Sequence, residues 1–427
     1  MTRDRKLSAI LSRRTFLSGS AMAGAAASGG ILHAGRAAAA NPENLPPHVP
    51  EWSQYLGAGV EDAPYGSPSQ YEAEVVRRNV RWLTATTESS VNFTPLHALD
   101  GIVTPNGLCF ERHHAGVADI DPSDHRLMIH GLVERPLIFT MEDLKRFPRM
   151  SRFYFLECAA NGGMEWRGAQ LNSCQFAHGM VHCVQYSGVS LATILNHAGL
   201  KPNAKWLLPE GADASGMTRS IPIEKALEDC MIAFAMNGEA LRPEQGYPLR
   251  LVVPGFEGNM WVKWLRRIEV GDMPWHTREE TSKYTDLLSD GTARRFTWVM
   301  DAKSVITNPC PENPVQHKGA NVLTGLAWSG RGRIARVDVS LDGGKNWVPA
   351  RLEEPVLPMC LTRFYYDWQW NGESVLLESR AMDETGYVQP TIEALRNQRG
   401  TNSIYHNNRI QTWLVNPSGE VENVQVS

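Results

Sequence analysis

The sequence predicts an α+β domain over residues 41–291 followed by an all-β sandwich over 292–427. Three observations predict this. Strand-like and helix-like segments alternate up to about residue 275. After a composition shift at 286–295, only short strands recur, at a spacing of about ten residues. Asp342-Gly343-Gly344 supplies a turn of the kind that spacing needs. In order, residues 41–105 are rich in Pro, Gly, Asn and Ser and read as an extended lead-in. Residues 127–140 alternate as strands do, and 141–148 read as a short helix stopped by Pro148. Residues 151–157 form an aromatic strand that runs into Cys158-Ala159-Ala160-Asn161-Gly162-Gly163. A helix is expected at 191–200 and strands at 248–255 and 261–270. Beyond the boundary, strands are expected at 321–330, 333–341, 347–352, 364–370 and 375–383. No internal repeat is visible.

The 427 residues carry 42 Lys+Arg against 46 Asp+Glu, a net charge of −4. That balance excludes a generally basic nucleic-acid binder, because phosphate contacts need clustered positive charge. No apolar run reaches the roughly 18–20 residues of a spanning helix, so a soluble protein with no membrane span is expected. The first forty residues read as an address. Ser12-Arg13-Arg14-Thr15-Phe16-Leu17 is a twin-arginine pattern, followed by an Ala/Gly/Ser stretch and small residues at Ala38 and Ala40. Residues 1–40 are therefore expected to be a twin-arginine signal peptide, with a mature chain from Asn41 in a bacterial periplasm. That route exports folded proteins, usually because a cofactor is inserted before transport.

Seven cysteines (Cys109, Cys158, Cys174, Cys183, Cys230, Cys310, Cys360) in an oxidising compartment invite disulfides. Their odd number leaves at least one thiol unpaired or otherwise used. The sequence has no C-x-x-C-H, so no haem is expected in this chain. It has no C-x-x-C pair, no P-loop and no convincing dinucleotide fingerprint either.

Cys158 stands where a strand gives way to small residues, which would let a cofactor approach the backbone. A thiolate is a soft ligand suited to a transition metal, although a single Cys is also readable as a small buried apolar side chain. Arg112-His113-His114 reads either as an oxyanion clamp or as a solvated basic turn. Arg250 and Lys263 lie in apolar stretches read as strands, where a charge needs a partner or ligand. These cations, together with the thiol, point to a buried anionic cofactor. His178 and His182 are spaced to share one helical face, flanked by Cys174 and Cys183, but four ligand types within ten residues do not match structural zinc spacing.

Taken in order, these segments resemble the sulfite oxidase family of molybdopterin enzymes over nearly all of the mature chain. The resemblance rests on Phe110-Glu111-Arg112-His113-His114, Glu157-Cys158-Ala159-Ala160-Asn161-Gly162, Tyr247-Pro248-Leu249-Arg250 with Val253-Pro254-Gly255, and Val262-Lys263-Trp264-Leu265. It continues through Gly325-Leu326-Ala327-Trp328-Ser329-Gly330, Ser340-Leu341-Asp342-Gly343-Gly344 and Ala394-Leu395-Arg396-Asn397-Gln398-Arg399-Gly400. It implies the sulfite oxidase fold, with an α+β molybdopterin-binding catalytic domain at 41–291 and an all-β, immunoglobulin-like dimerisation domain at 292–427. The implied cofactor is molybdenum–molybdopterin without an appended nucleotide. Cys158 would be the thiolate on the metal, Arg112 would hold the substrate oxyanion, and Tyr284 would stand beside the substrate pocket. Phe110, His113, His114, Asp213, Gln245, Arg250 and Lys263 would contact the pterin and its phosphate.

The departures bear on substrate. Family members acting on free sulfite carry an Arg pair where this chain has Gly162-Gly163 and usually Trp where it has Tyr186, and the family's His before Gly-Phe-Pro is Gln245 here. A less cationic pocket suits sulfur presented on a carrier better than a desolvated free dianion. The resemblance is nearest to the sulfane dehydrogenase branch of the family, in the Sox system of thiosulfate oxidation. That branch implies a c-type cytochrome subunit as electron acceptor and a sulfur-carrier protein as substrate. It also implies a homodimer through the C-terminal domain within a hetero-oligomer. A periplasmic dehydrogenase acting on free sulfite is the alternative.

Overall fold

Parity along the strand Arg149–Glu157 decides the layout of the molecule. Tyr154 and Leu156 face one buried core, with Val184, Tyr186, Met231 and Leu251. Phe155 faces another, with Val181, Cys183, Trp328 and Phe364. Side chains alternate across a strand, so Glu157 turns toward the second domain, whereas Cys158, the next residue, packs against the first. The computed structural model describes residues 68–426. The signal-peptide reading and the start of the lead-in lie outside the described residues.

The first domain is built on two five-stranded sheets. One runs Glu239–Ala240, Met231–Met236, Val181–Ser190, Arg149–Glu157, with Arg250–Val252 also pairing to Met231–Met236. The other runs Leu137–Phe139, Leu127–Gly131, Leu265–Gly271, Trp206–Gly211, Ile221–Pro222. In the latter, Leu127–Gly131 and Leu265–Gly271 pair in parallel. The expected helix after Phe139 is Met141–Lys145, started by a capping box in which Thr140 and Asp143 satisfy each other's backbone N–H groups. The expected helix at 191–200 is Leu191–Ala198. The second domain is a sandwich of a four-stranded sheet (Lys303–Asn308, Gly319–Trp328, Thr362–Trp370, Arg351–Leu352) on a five-stranded one (Val348–Pro349, Ile334–Ser340, Val375–Asp383, Thr412–Val415, Val421–Val424). Between the two domains, Asp286–Leu287 pairs with Ala293–Arg294 in a short ribbon. Among the described residues, no helix is long and apolar enough to cross a membrane.

Three expectations are corrected. Lys263 is not in a strand: that strand begins at Leu265, because Trp264 takes a left-handed conformation (φ 52°) that breaks the extended run. His178 and His182 do not share a helical face. The helix Cys174–His178 closes at Gly179 and His182 lies in Val181–Ser190, so His178 bonds Gln411 (3.0 Å) while His182 bonds Tyr186 (3.3 Å). All seven cysteines are free thiols and all but Cys158 are buried. Burial pushes the thiols of Cys109 and Cys230 up, away from the reactive thiolate.

Candidate active site

Distant stretches of chain meet at Cys158. The Cys158 N–H donates to the Met180 carbonyl (2.9 Å), and the chain then turns so that the Asn161 N–H reaches the Cys158 carbonyl (2.9 Å). Gly162, at φ 79°, takes the left-handed step that this tight loop requires. Burial pushes the Cys158 thiol up, opposed by the Ala160 N–H and the Arg112 charge. Arg112 lies on a bridge to Val91, its guanidinium donating to the Ser90 carbonyl (3.3 Å) and to the His113 carbonyl.

Arg250, at the start of its strand, donates to Gln245 Oε1 (3.1 Å) and the Trp261 carbonyl (3.3 Å) and lies over the Tyr186 ring (5.8 Å). Gln245 in turn donates to the Phe110 carbonyl (2.9 Å). Lys263 Nζ donates to the carbonyls of Arg112 (3.2 Å) and Glu244 (3.1 Å) and meets His113 Nδ1 (3.0 Å). Tyr284 Oη stands 3.5 Å from His114 Nε2. Burial and the nearby Cys158 push the Tyr284 phenol up, so it holds its proton. Burial, with Arg112, Arg278 and Lys263 nearby, pushes His114 down to about 4, leaving a neutral imidazole at pH 7.

One pocket is lined by Phe110, Arg112, His114, Cys158, Gln245, Arg250, Lys263 and Tyr284. Of the predicted site residues only His113 and Asp213 do not line it. His113 stacks on Trp264 behind Lys263, between Lys263 and Glu111 (2.5 Å). Asp213 accepts from Ser215 and acts on His114 and Lys263 through its charge. Tyr186 is fully buried beneath Arg250 rather than at the mouth.

Outward, the pocket opens into a cleft of about 600 Å³ that also reaches Cys158 and adds Arg278, Lys283 and Tyr405. These three were missed from sequence. Tyr405 comes from the second domain, and its ring lies 5.1 Å from that of Tyr284. Its loop is pinned to the Cys158 loop: the His406 N–H donates to the Ala159 carbonyl (2.7 Å) and Asn407 Nδ2 to the Gly162 carbonyl (2.9 Å). His406 Nε2 also meets Glu257 (3.1 Å). Burial alone would raise Glu257, but Arg219 and His406 outweigh it and hold this carboxyl at about 2.

Arg112, Arg250 and Lys263 form no ion pair with a carboxylate among the described residues. Their hydrogen bonds go to carbonyls, an amide and a neutral ring. Arg250 Nε and His182 Nδ1 are buried beside the pocket without a partner. Cations without a directly paired carboxylate and orphaned polar atoms fit an anionic group rich in acceptors. Among the described residues, no three His, Cys, Asp or Glu side chains are grouped to hold a metal. A metal at Cys158 would therefore draw its other ligands from a cofactor.

Burial and the neighbouring Arg250 push Lys263 down from 10.5 to about 7. The unfolded chain keeps the ordinary value, so it binds the extra proton between pH 7 and 10.5 and the folded protein does not. Stability of the cofactor-free protein attributable to Lys263 therefore rises with pH across that window. An anion in the pocket favours the ammonium and opposes the trend. Calorimetry on cofactor-free protein is expected to show sulfate, whose own charge is constant over this range, binding several-fold tighter at pH 6 than at pH 8.5. Lys263→Met should remove that difference; equal affinities in the unsubstituted protein would separate Lys263 from the anion.

Comparison with known proteins agrees with this geometry. The oxidoreductase molybdopterin-binding domain model matches residues 114–279, and the Mo-co oxidoreductase dimerisation domain model matches 294–413. Sulfite oxidase of Gallus gallus is 32% identical over 325 residues, covering 70% of each chain. Nitrate reductase [NADH] of Solanum lycopersicum is 30% identical over 68% of this chain, which spans 36% of that protein. The solved sulfane dehydrogenase SoxCD of Paracoccus pantotrophus has 59% sequence identity and a TM-score of 0.88, covering 89% of this chain and 98% of that one. A thiol ringed by unpaired cations, on this fold and with these relatives, identifies the chain as a molybdenum oxidoreductase belonging to the sulfite oxidase family.

Proposed function

We propose that this protein is the molybdenum subunit of a periplasmic sulfane dehydrogenase. It oxidises sulfur bound to a cysteine of a carrier protein during thiosulfate oxidation and passes the electrons to a c-type cytochrome subunit. Cys158 would hold the metal, and Arg250, Lys263, Gln245 and His114 would hold the pterin and its phosphate, without an appended nucleotide. When bound, the cofactor supplies two-electron oxidation with oxygen transfer to sulfur. The protein's part is positioning. Arg112 orients the oxyanion that develops on the sulfur, and Tyr284 keeps its proton as a donor facing the same cleft. Tyr405 narrows the approach.

The observation that carries the choice of substrate is at Gly163. A Cβ there would lie 2.6 Å from the Ile404 carbonyl oxygen, so the site has no room for a cationic side chain such as the resemblance places here in enzymes of free sulfite. The 59% identity to a sulfane dehydrogenase supports the same reading. The twin-arginine pattern supports periplasmic export. The absence of a haem-attachment motif calls for an external one-electron acceptor.

Purified from periplasm, the protein is expected to carry about one molybdenum per chain. It should reduce cytochrome c with carrier-bound sulfane at least tenfold faster than with free sulfite. Faster turnover of free sulfite would reassign it to the sulfite dehydrogenases.

A further inference from the structure

A second concavity borders the catalytic cleft and is not accounted for by the reactive pocket. It is a groove of about 180 Å³ walled by Trp82, Leu83, Phe176 and Ile404, with Ala160 and Gly163 at its floor, and no charged side chain lines it. Ala160 and Ile404 belong to both the groove and the cleft over Cys158, so the two are continuous. Its rim is open to solvent: Trp82 is 67% exposed, Ile404 52% and Leu83 39%. Singly exposed apolar residues need no explanation, but a contiguous set lining a concavity beside a reactive centre marks an interaction site. Gly163 shapes it. Any side chain there would strike the Ile404 carbonyl and displace the loop that forms the groove's wall.

The two concavities differ in chemistry. The mouth over Cys158 presents Arg112, Lys283 and Arg278, the last paired with Glu279, a cationic excess suited to an anionic sulfur terminus; no charged side chain lines the groove. A small free anion would use the mouth alone and leave the groove idle. Sulfur tethered through a cysteine must bring its flanking backbone and neighbouring side chains along, and these must lie on whatever surface continues from the mouth. We infer that the groove seats the polypeptide flanking the sulfur-bearing cysteine of the carrier, and that this flank is uncharged and built of small or apolar residues. The inference rests on the sulfane reading above. It commits to a peptide rather than to a second copy of this chain or to the cytochrome.

The test uses the molybdenum-loaded protein and two probes with the same reactive group: free cysteine persulfide, and a short uncharged peptide bearing a central cysteine persulfide. The intact protein is expected to prefer the peptide in kcat/KM by about tenfold, the equivalent of one 1.4 kcal/mol step in affinity. The paired substitution Trp82→Ala with Leu83→Ser should erase that preference through KM, leaving kcat and the turnover of free persulfide unchanged. Trp82→Phe should keep most of it. Turnover of both probes without preference, or a preference that survives the paired substitution, would overturn the inference and leave the sulfane reading standing. A change in oligomer mass on substitution would assign the groove to a second copy and overturn it too. Turnover of neither probe would remove the sulfane reading and this inference together.

Discussion

Replacing Cys158 by Ser is expected to abolish turnover, by about four orders of magnitude, the scale on which removal of one member of a catalytic unit is read. The fold should not change. Serine differs from cysteine by one atom, and the backbone bonds that shape the loop (Cys158 N–H to Met180, Asn161 N–H to Cys158) do not involve the side chain. What changes is the group proposed to hold the metal: a hydroxyl is harder than a thiolate and does not match a soft transition-metal site. Elemental analysis, oligomer mass and thermal melting of the variant separate loss of metal chemistry from loss of structure. Turnover within tenfold of the parent would remove Cys158 from the reaction.

Lys303→Ala is expected to have the largest effect on stability, about 3–5 kcal/mol, the cost of stripping one partner from a buried ion pair. Lys303 Nζ lies 3.2 Å from Glu157 Oε1 and 3.3 Å from the Asn161 carbonyl, and both side chains of the pair are 2% exposed. Without the ammonium, the Glu157 charge keeps only Asn161 (2.9 Å) and the Trp328 indole (2.7 Å). Denaturant unfolding should show a lower midpoint at unchanged slope. Adding Glu157→Gln should recover part of the loss, because the stranded charge is then gone. A loss below about 1 kcal/mol for Lys303→Ala would place the pair among the weak surface type.

Half-buried strands are legible because they write period two into the sequence; Arg149–Glu157, whose end is buried on both faces between two cores, was legible instead as an unbroken aromatic and apolar run at residues 153–156. Where a single residue departed from that period, legibility ended. Trp264 in a left-handed conformation cut short a run that read as continuous strand, and Gly179 ended a helix before it could align His178 with His182. Within the site, residues carried by contiguous motifs were readable. Tyr405 was not, because it arrives from the second domain and no spacing rule links it to Cys158. The glycine pair offered a signal of another kind. Gly162-Gly163 read as missing charge, whereas the structure shows it also as close backbone approach, the use to which glycine is best suited.

The pinning of residues 404–407 onto the Cys158 loop means that neither domain owns the thiol's position. Its strand belongs to the first, while the groups that hold the loop after it, Lys303, His406 and Asn407, belong to the second. A chain ended at residue 291 would be an unfinished enzyme rather than a smaller one, with the Cys158 thiol on a loop that has lost its clasp. The sandwich is thus part of the scaffold that holds the thiol in place.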